Sequence, residues 1–440
     1  MSASDTVPSL DVLWHGHGAE QVGRVVNPGT CAFGYDNTWL QHGANLSPLR
    51  MPFSTTVHRL RDEAFDFLPG FLADCLPDAW GRTVMLRDFE QIGASADPIR
   101  MLAWVGARGL GALRFQPAWE SAGHSTGWDT VQPIMLAREA QAVLRKAPPE
   151  AFSHLRNAGT AGGHFPKATV ALVPDGTMLC GGDVASALLE PQNVGARLGI
   201  IKLDVEDDFT RPSTDGRLEK AYMEMARAAG LSVAKCEVIE QQDDRRTRYH
   251  LFVERFDVLS NGAKKLHLLS LAGALESFQN LGYVQLLDVT RQLTQEHAQV
   301  VEAVRRMAFN VRAANSDDHG KNHAFTFDRE NNRWSLAPAY DLTLNFSLVR
   351  SFNGLSTVSF GKDPRKDRME EIATGFGLSP VEFAQIDAQV ASTIDRWTEF
   401  AERCNVPAVD IERAAKAQAQ VAAMLNARGR SRSPRRRRRW

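Results

Sequence analysis

Apolar and polar positions in the first quarter of the chain follow two different periods. Residues 8–53 contain short apolar runs such as LDVLW and CAFGYD between glycine, asparagine and proline residues, a pattern typical of strands and turns. From about Leu68, apolar residues recur every three or four positions as far as residue 89. The pattern therefore predicts a small β-rich region followed by one or two helices.

A second series of elements begins near residue 159. The glycine-containing turn GTAGGHFPK precedes the β-branched run ATVALV, and the apolar run GIIKLD contains Lys202. LEKAYMEMARAAGL places its apolar residues on one helical stripe and ends at Gly230, a residue suited to a helix C-terminus. KCEVIE and RYHLFVERFD are again typical of strands. A glycine loop, a strand lysine, one helix and further strands, in this order, resemble the small lobe of a protein kinase.

The last third of the chain combines a polar cluster with helical patterns. NSDDHGKN, residues 315–322, is followed by the apolar runs HAFTF and RWSLAP, which predict a loop and then two strands. Two long helices are predicted at about 380–403 and 407–427, forming an outer layer. A serine-, glycine- and proline-rich stretch at 118–155 marks a domain boundary.

Composition excludes several protein classes. The 440 residues are 43% hydrophobic and 23% charged, which is ordinary for a soluble protein of two or three domains. No apolar run approaches the roughly 20 residues that span a membrane, and the first residues lack a secretion-signal pattern, so we expect a cytoplasmic protein without membrane contact. The five separated cysteines argue against a zinc finger or a disulfide framework and are expected to be buried: Cys31, Cys75, Cys180, Cys236 and Cys404.

Charge is distributed unevenly along the chain. The formal net charge is −1, but eight of the last thirteen residues are arginine and none is acidic. Such a segment cannot bury apolar surface, and we predict a disordered arginine-rich tail at 429–440. Two interpretations stay open: an arm that weakly touches nucleic acid or the protein's own acidic surface, and a solvated tail without function.

The polar cluster has the spacing of a kinase catalytic loop. In protein kinases an aspartate accepts the proton of the substrate hydroxyl, and an asparagine five positions later binds Mg²⁺; Asp317 and Asn322 have this spacing. Asp341, in AYDLTLN, lies where a second Mg²⁺-binding carboxylate is expected. ATP phosphates carry several negative charges, so oxygen ligands must hold metal ions while a base approaches the nucleophile. Lys321 is placed to neutralise the moving phosphoryl group.

Each feature alone has a simpler explanation. The glycine turn matches neither the Walker loop nor the kinase loop, and a strand lysine such as Lys202 commonly faces solvent. The sequence SDDHGKN also suits a solvated loop or a helix cap. His319 and His323 would share a metal only in a helix, and Gly320 argues against one. The order of the pieces favours the kinase interpretation.

The chain resembles the HipA family, serine/threonine kinase toxins of bacterial toxin–antitoxin pairs, up to about residue 400. FGYDNTWL, LSPLRMP and FLPGFLADCLPDAWGR resemble the N-terminal segment of that family. AGGHFPKA, GIIKLD, EKAYMEMARAAGL, VERFD, NSDDHGKNHAF and LAPAYDL follow in the family's order. The resemblance implies an α+β, two-lobed protein-kinase-like fold with a β-rich N-terminal subdomain. The predicted units are the N-terminal subdomain (1–118), the small lobe (119–255), the large lobe (256–428) and the tail (429–440).

The resemblance also implies roles for the polar residues. Asp317 would be the catalytic base, and Asn322 and Asp341 would bind Mg²⁺. Lys202 would contact the α and β phosphates of ATP, with Glu219 preferred over Glu224 as its partner. The stretch 268–283 occupies the position of the family's lobe-connecting helix and is assigned packing only.

VERFD would be the hinge between the lobes. The backbone of Glu254 and Phe256 would read adenine and the Asp257 carboxylate would lie near the ribose, although Phe256 also suits a core position and Asp257 a turn. His319 is expected to bond to neighbouring backbone. Self-regulating family members autophosphorylate a serine in the glycine-rich segment, whereas this chain has Thr160 there and no serine between Ser153 and Ser186. The other residues expected around the nucleotide are Thr160, Ala161, Gly162, Gly163, His164, Lys167, His319 and Lys321.

Three functions remain open on the sequence. The first is a Mg²⁺/ATP-dependent protein kinase toxin that phosphorylates a translation component such as an aminoacyl-tRNA synthetase and arrests growth. The second is a kinase acting on a small alcohol, and the third a nucleotide-binding co-repressor of a helix-turn-helix, HipB-like antitoxin. No helix-turn-helix signature occurs in the chain, so we expect contact with DNA only through that antitoxin or weakly through the tail.

Overall fold

A computed structural model describes most of the chain. The described residues are 9–15, 20–27, 30–91, 93–118, 127–158, 165–182, 187–205, 216–243, 246–259, 262, 264–315, 317–344, 354–361 and 364–426. The predicted tail at 429–440 lies outside them. None of the helices in these ranges combines the length and the apolar character that crossing a bilayer requires.

The N-terminal unit is built on a four-stranded antiparallel sheet with the order β3-β2-β1-β4. Its strands are β1 (Ser9–Trp14), β2 (Glu20–Val26), β3 (Ala32–Tyr35) and β4 (Leu113–Gln116). Between β3 and β4 lie the helices α1 (Asn37–His42), α2 (Gly70–Ala73), α3 (Ala79–Gln91) and α4 (Pro98–Val105). The predicted β-rich start and the following helices are therefore confirmed. Strand β4, which follows the helices, pairs with β1 and completes the sheet.

A six-stranded antiparallel sheet with the order β5-β7-β6-β8-β10-β9 forms the small lobe. Its strands are β5 (Trp128–Val131), β6 (Lys167–Leu172), β7 (Met178–Gly181), β8 (Arg197–Lys202), β9 (Cys236–Gln242) and β10 (Thr247–Glu254). Its helices are α5 (Pro133–Leu144), α6 (Ser153–Asn157) and α7 (Gly216–Ala228). The predicted strands and helix are confirmed, and Gly230 after α7 has the positive φ of 89° that glycine tolerates best.

The large lobe is mainly helical around small sheets. The strands β13 (His267–Ser270), β14 (Ala324–Asp328) and β15 (Arg333–Leu336) form one sheet, and β11 (Val258–Leu259) pairs with β12 (Lys264–Lys265). The helices are α8 (Leu271–Leu275), α9 (Tyr283–Thr294), α10 (His297–Arg312), α11 (Leu355–Phe360), α12 (Lys366–Gly375), α13 (Pro380–Ile394), α14 (Trp397–Arg403) and α15 (Ala408–Asn426).

Two helix predictions for this lobe need correction. The long helix expected at 380–403 is interrupted after Ile394 and continues as α14. The break lets the Trp397 ring pack against Tyr222 of α7, 5.0 Å between ring centroids, while its indole N–H donates to the carbonyl of Ile411. The stretch 268–283 packs as predicted, but it holds only the short helix Leu271–Leu275 and the first residue of α9, Tyr283.

Two hydrophobic cores show how the three units are joined. The larger core runs without a break from β1 of the N-terminal unit to α15 of the large lobe. The second core fills the small lobe and includes Trp80 and Val84, both contributed by α3 of the N-terminal unit. Four of the five free cysteines are buried as expected, and Cys236 is half-buried. The N-terminal unit is therefore packed into both lobes.

Candidate active site

The predicted catalytic loop connects α10 to β14 and is held by a buried amide pair. Asn315 donates its side-chain N–H to Asn310 Oδ1 at 3.2 Å, and its own Oδ1 accepts from the backbone N–H of Asp317 at 3.2 Å. The side chain of Asp317 is 34% exposed, and its Oδ1 lies 3.7 Å from His319 Nε2. The loop therefore presents the Asp317 carboxylate towards solvent on a rigid base.

Asn322 closes the catalytic loop with its amide group. Its Nδ2 donates to the main-chain carbonyl of Asp317 at 2.7 Å, and its backbone N–H donates to the carbonyl of His319 at 2.9 Å. Because the nitrogen of the amide is used inside the loop, the oxygen Oδ1 is the atom suited to a metal ion. The predicted base and the predicted amide ligand are thus coupled directly.

The neighbouring Asp318 has a different environment. It is buried, and its carboxylate accepts bonds from the Tyr283 hydroxyl at 2.6 Å and from the backbone N–H of Ser356 at 2.9 Å, as well as from the Ser356 hydroxyl. Burial raises the pKa of Asp318 to about 6 in spite of these bonds. Sequence reasoning missed this role, because nothing in the doubled aspartate distinguishes the exposed from the buried residue.

Lys202 joins two acidic residues that come from different parts of the chain. Its ammonium, at the end of β8, lies 2.6 and 2.7 Å from the two carboxylate oxygens of Glu219 in α7 and also contacts Asp341. The preferred contact between Lys202 and Glu219 is therefore confirmed. Glu224 pairs instead with Lys220, 3.7 Å away, and with Arg403.

The charges of this cluster shift one another's pKa values. Burial would raise the pKa of Asp341, but the charges of Lys202 and Lys167 outweigh burial and lower it to about 2. Burial would likewise lower the pKa of Lys202, yet Asp341 and Glu219 raise it above its usual value. Lys167 lies directly opposite Lys202 in the β6–β8 register, and burial lowers its pKa. The site therefore contains an ionised Asp341 beside a charged Lys202.

Asp341 and the catalytic loop belong to one cluster. The Tyr340 hydroxyl donates to the Lys321 carbonyl at 2.7 Å, and the charge of His319 also helps to lower the pKa of Asp341. His319 in turn lies beside Asp317 in the catalytic loop. The two segments identified in the sequence as separate are therefore brought together.

Lys321 and the histidines differ from simple phosphate or metal ligands. The Lys321 ammonium lies 2.9 Å from Asp78 Oδ1 of the N-terminal unit, so this carboxylate balances its charge. His319 Nδ1 accepts from the backbone N–H of Lys321 at 3.3 Å, which confirms the expected backbone bond. His323 is buried and the loop is not helical, so the two histidines do not form a helical metal pair.

In the hinge, Glu254 and Phe256 contact the two kinase lobes, whereas Asp257 contacts the N-terminal unit. The backbone of Glu254 pairs with Gly199 of β8, and its N–H donates to the main-chain carbonyl of Lys235 at 2.8 Å. The Phe256 ring stacks on the Tyr340 ring, with the two centroids 5.7 Å apart. Asp257 needs correction: its carboxylate is buried, pairs with Arg255 at 2.6 Å and accepts from the Gly111 N–H at 2.7 Å. These contacts attach the N-terminal unit and leave no exposed carboxylate for a ribose.

The glycine-rich segment is only partly described. Thr160, Ala161, Gly162, Gly163 and His164 lie outside the described residues, and their predicted roles stay predictions. Lys167 is the first residue of β6 and is 3% exposed.

The fold implies a magnesium ion near Asn322 and Asp341. Within the described ranges, no group of three or more His, Cys, Asp or Glu side chains is arranged to hold a metal ion. The amide oxygen of Asn322 and the ionised Asp341 are nevertheless hard oxygen donors of the kind that Mg²⁺ takes alongside water and nucleotide phosphates. These two residues would fit a Mg²⁺ whose other ligands are water and nucleotide phosphates.

Comparisons with known proteins identify the family. The model of the HipA-like C-terminal domain matches residues 159–423, and the model of the HipA N-terminal domain matches residues 10–116. The chain belongs to the HipA family. None of the curated protein sequences is significantly similar to it.

One solved structure shows the fold, and a second is similar only at a low TM-score. HipA of the Shewanella oneidensis MR-1 toxin–antitoxin system, determined with HipB and its operator DNA, is 16% identical with a TM-score of 0.65, covering 94% of this chain and 96% of that chain. The Helicobacter pylori proinflammatory kinase CtkA is 10% identical with a TM-score of 0.32, covering 60% of this chain and 94% of that chain. The match to HipA confirms the predicted α+β, two-lobed HipA-type fold.

Proposed function

We propose that the protein is a Mg²⁺/ATP-dependent serine/threonine protein kinase and the toxin of a bacterial toxin–antitoxin pair. The observation that carries this proposal is a contact cluster: the Tyr340–Lys321 bond joins the Asp341 segment to the catalytic loop of Asp317, and Lys202 contacts both Glu219 and Asp341. A strand lysine paired with a helix glutamate, a base and a metal-binding aspartate are the recurring parts of kinase sites.

The proposed reaction assigns one step to each residue. The substrate hydroxyl oxygen attacks the γ-phosphorus of ATP, the bond from that phosphorus to the ADP oxygen breaks, and Asp317 accepts the hydroxyl proton. Mg²⁺, held by Asn322 and Asp341, would supply positive charge to the phosphates. Lys202 would bind the α and β phosphates while Glu219 orients its ammonium.

The partners are proposed from the family and the matched complex. HipA of Shewanella oneidensis was determined with HipB and operator DNA. We propose a HipB-like helix-turn-helix antitoxin for this chain, with DNA contacted through it. A translation component such as an aminoacyl-tRNA synthetase is the proposed substrate, with growth arrest and persistence as the consequence.

The proposal is tested by incubating the protein with Mg²⁺ and ATP labelled at the γ-phosphate in a nucleotide-depleted bacterial lysate. Label in protein bands, lost in the Asp317→Ala variant, is the expected result. Label only in small molecules would favour an alcohol kinase. ATP binding without any transfer would favour a co-repressor and overturn the kinase proposal.

A further inference from the structure

The segment Asp74–Arg82 of the N-terminal unit lies where the two lobes meet. Asp78 contacts the Lys321 ammonium of the catalytic loop at 2.9 Å. The Trp80 indole N–H donates to the main-chain carbonyl of Lys167 in β6 at 3.0 Å. One short segment outside the kinase lobes thus contacts both the catalytic loop of the large lobe and strand β6 of the small lobe.

Burial makes this segment a fixed part of the kinase. Trp80 is 3% exposed and belongs to the small-lobe core. Asp74 accepts from the backbone N–H of Ser270 at 2.7 Å and from its hydroxyl at 2.8 Å, at the end of β13 in the large lobe. Breaking such contacts would leave buried polar groups without partners, so the segment holds its position relative to both lobes.

Lys321 is held at three of its atoms. Its backbone N–H donates to His319 Nδ1, its carbonyl accepts from Tyr340, and its ammonium pairs with Asp78. Only the last contact comes from outside the two kinase lobes. The side chains of Asp78 and Lys321 are 25% and 24% exposed, so the pair borders on solvent and its carboxylate competes with any anion for the ammonium.

We propose that Asp78 is a positioning residue of the active site, which holds the Lys321 ammonium and thereby fixes the loop from Asp317 to Asn322 for phosphoryl transfer. The inference rests on the proposed kinase function and adds to it that the N-terminal unit completes the site. Lys321 lies between the base and the amide ligand in sequence, so a displacement of its side chain is transmitted to both. Misplacing a reacting group by about 1 Å costs about 10²-fold in rate.

A double-mutant cycle with Asp78→Asn and Lys321→Met tests this role. Asparagine keeps the volume and the helix-capping capacity of residue 78 and removes its charge. We expect Asp78→Asn alone to lower kcat by about 10- to 100-fold with the KM for Mg·ATP changed less than about threefold. In the Lys321→Met background, adding Asp78→Asn should change kcat by less than about twofold. The assay is transfer from labelled ATP to the protein fraction of a bacterial lysate.

Asp97→Asn is the matched control. Asp97 also precedes a helix of the N-terminal unit, caps α4 through the Arg100 N–H and pairs with the Arg100 side chain. This variant loses one carboxylate charge and keeps its cap, so kcat should stay at the wild-type value. Equal losses for Asp97→Asn and Asp78→Asn would reduce the effect to general destabilisation and overturn the proposal.

The proposal would also be overturned if the two substitutions act independently, so that the loss of kcat in the double variant is the product of the two single losses. Amide hydrogen exchange separates this failure from failure of the proposed function. Exchange of residues 317–324 should be faster in Asp78→Asn than in the wild type and unchanged in Asp97→Asn. If the wild-type protein transfers no phosphate, the kinase proposal falls; faster exchange then still supports the positional claim, and unchanged exchange overturns that as well.

Discussion

The hydroxyl of Tyr340 donates a hydrogen bond to the main-chain carbonyl of Lys321, 2.7 Å away. Tyr340 directly precedes Asp341, and Lys321 directly precedes Asn322, so this bond fixes the spacing between the two proposed Mg²⁺ ligands. Phe256 of the hinge stacks on the same ring. One tyrosine therefore connects the hinge, the catalytic loop and the metal-binding segment.

Replacing this tyrosine tests the connection. Tyr340→Phe keeps the ring that stacks on Phe256 and removes the hydroxyl, so unfolding should become easier by about 1 kcal/mol. We expect a severalfold loss of Mg·ATP affinity, measured by calorimetry, because the spacing of the ligands relaxes. Tyr35→Phe loses the hydroxyl bonds to Asn45 and from the Leu46 N–H in the N-terminal unit and should leave Mg·ATP affinity unchanged. Equal affinities for all three proteins would show that the bond does not set the site.

The buried Asp318 predicts a dependence of stability on pH. Its folded-state pKa is about 6, above the ordinary value of 3.8, so the folded protein binds the proton more tightly than the unfolded chain does. The contribution to stability is therefore fully present below about pH 4 and lost as the pH rises through 6, by about 3 kcal/mol. Urea unfolding of wild type and Asp318→Asn from pH 4 to 7 should show curves that diverge by this amount. Parallel curves would contradict the burial of a titrating carboxyl group.

Lys202 separates two carboxylates, and its removal should expose their repulsion. Lys202→Met leaves Glu219 and Asp341 without the shared cation, which should lower the free energy of unfolding by about 3 kcal/mol near pH 7. Without the lysine the pKa values of both carboxylates rise, so part of this stability should return as the pH falls. Lys235→Met removes an exposed lysine that pairs with Glu254 and should have little effect. A loss of stability independent of pH would argue against charge repulsion as the cause.

The arginine-rich end of the chain predicts a salt-sensitive interaction. The full chain should retain a mixed-sequence oligonucleotide on a filter at low salt and release it between about 50 and 200 mM salt. Deleting residues 428–440 should abolish this retention and leave phosphoryl transfer unchanged. Identical retention by both proteins would assign nucleic-acid contact to another surface or to none.

Much of the fold and the site follows from local patterns. Alternating and helical apolar spacing predicts the small-lobe strands and α7. The choice of Glu219 as the partner of Lys202 comes from the family resemblance, and the structure confirms the contact. Asp317, Asn322 and Asp341 can be predicted as one site because the loop spacing and the order of the segments are visible in the sequence. The break between α13 and α14 was missed, since it depends on where the Trp397 ring packs.

Long-range contacts account for the remaining differences. Asp78 and Lys321 are 243 positions apart in sequence, and Asp257 and Gly111 are 146 apart, and no local period signals either contact. The family resemblance implies a ribose contact for Asp257, whereas its carboxylate attaches the N-terminal unit to the hinge. The two neighbouring aspartates Asp317 and Asp318 likewise differ in burial only because α9 and α11 surround the second.

Calorimetric titration of ATP, with and without Mg²⁺, into wild type, Asp317→Ala and Asp341→Ala tests the proposed site most directly. The wild type should bind ATP tightly only with Mg²⁺; Asp341→Ala should lose at least about tenfold in affinity, since a charged metal ligand is removed. Asp317→Ala should bind within about threefold of wild type, because the base acts in transfer and not in binding. Indistinguishable affinities for all three proteins, with or without Mg²⁺, would contradict a nucleotide site at this cluster.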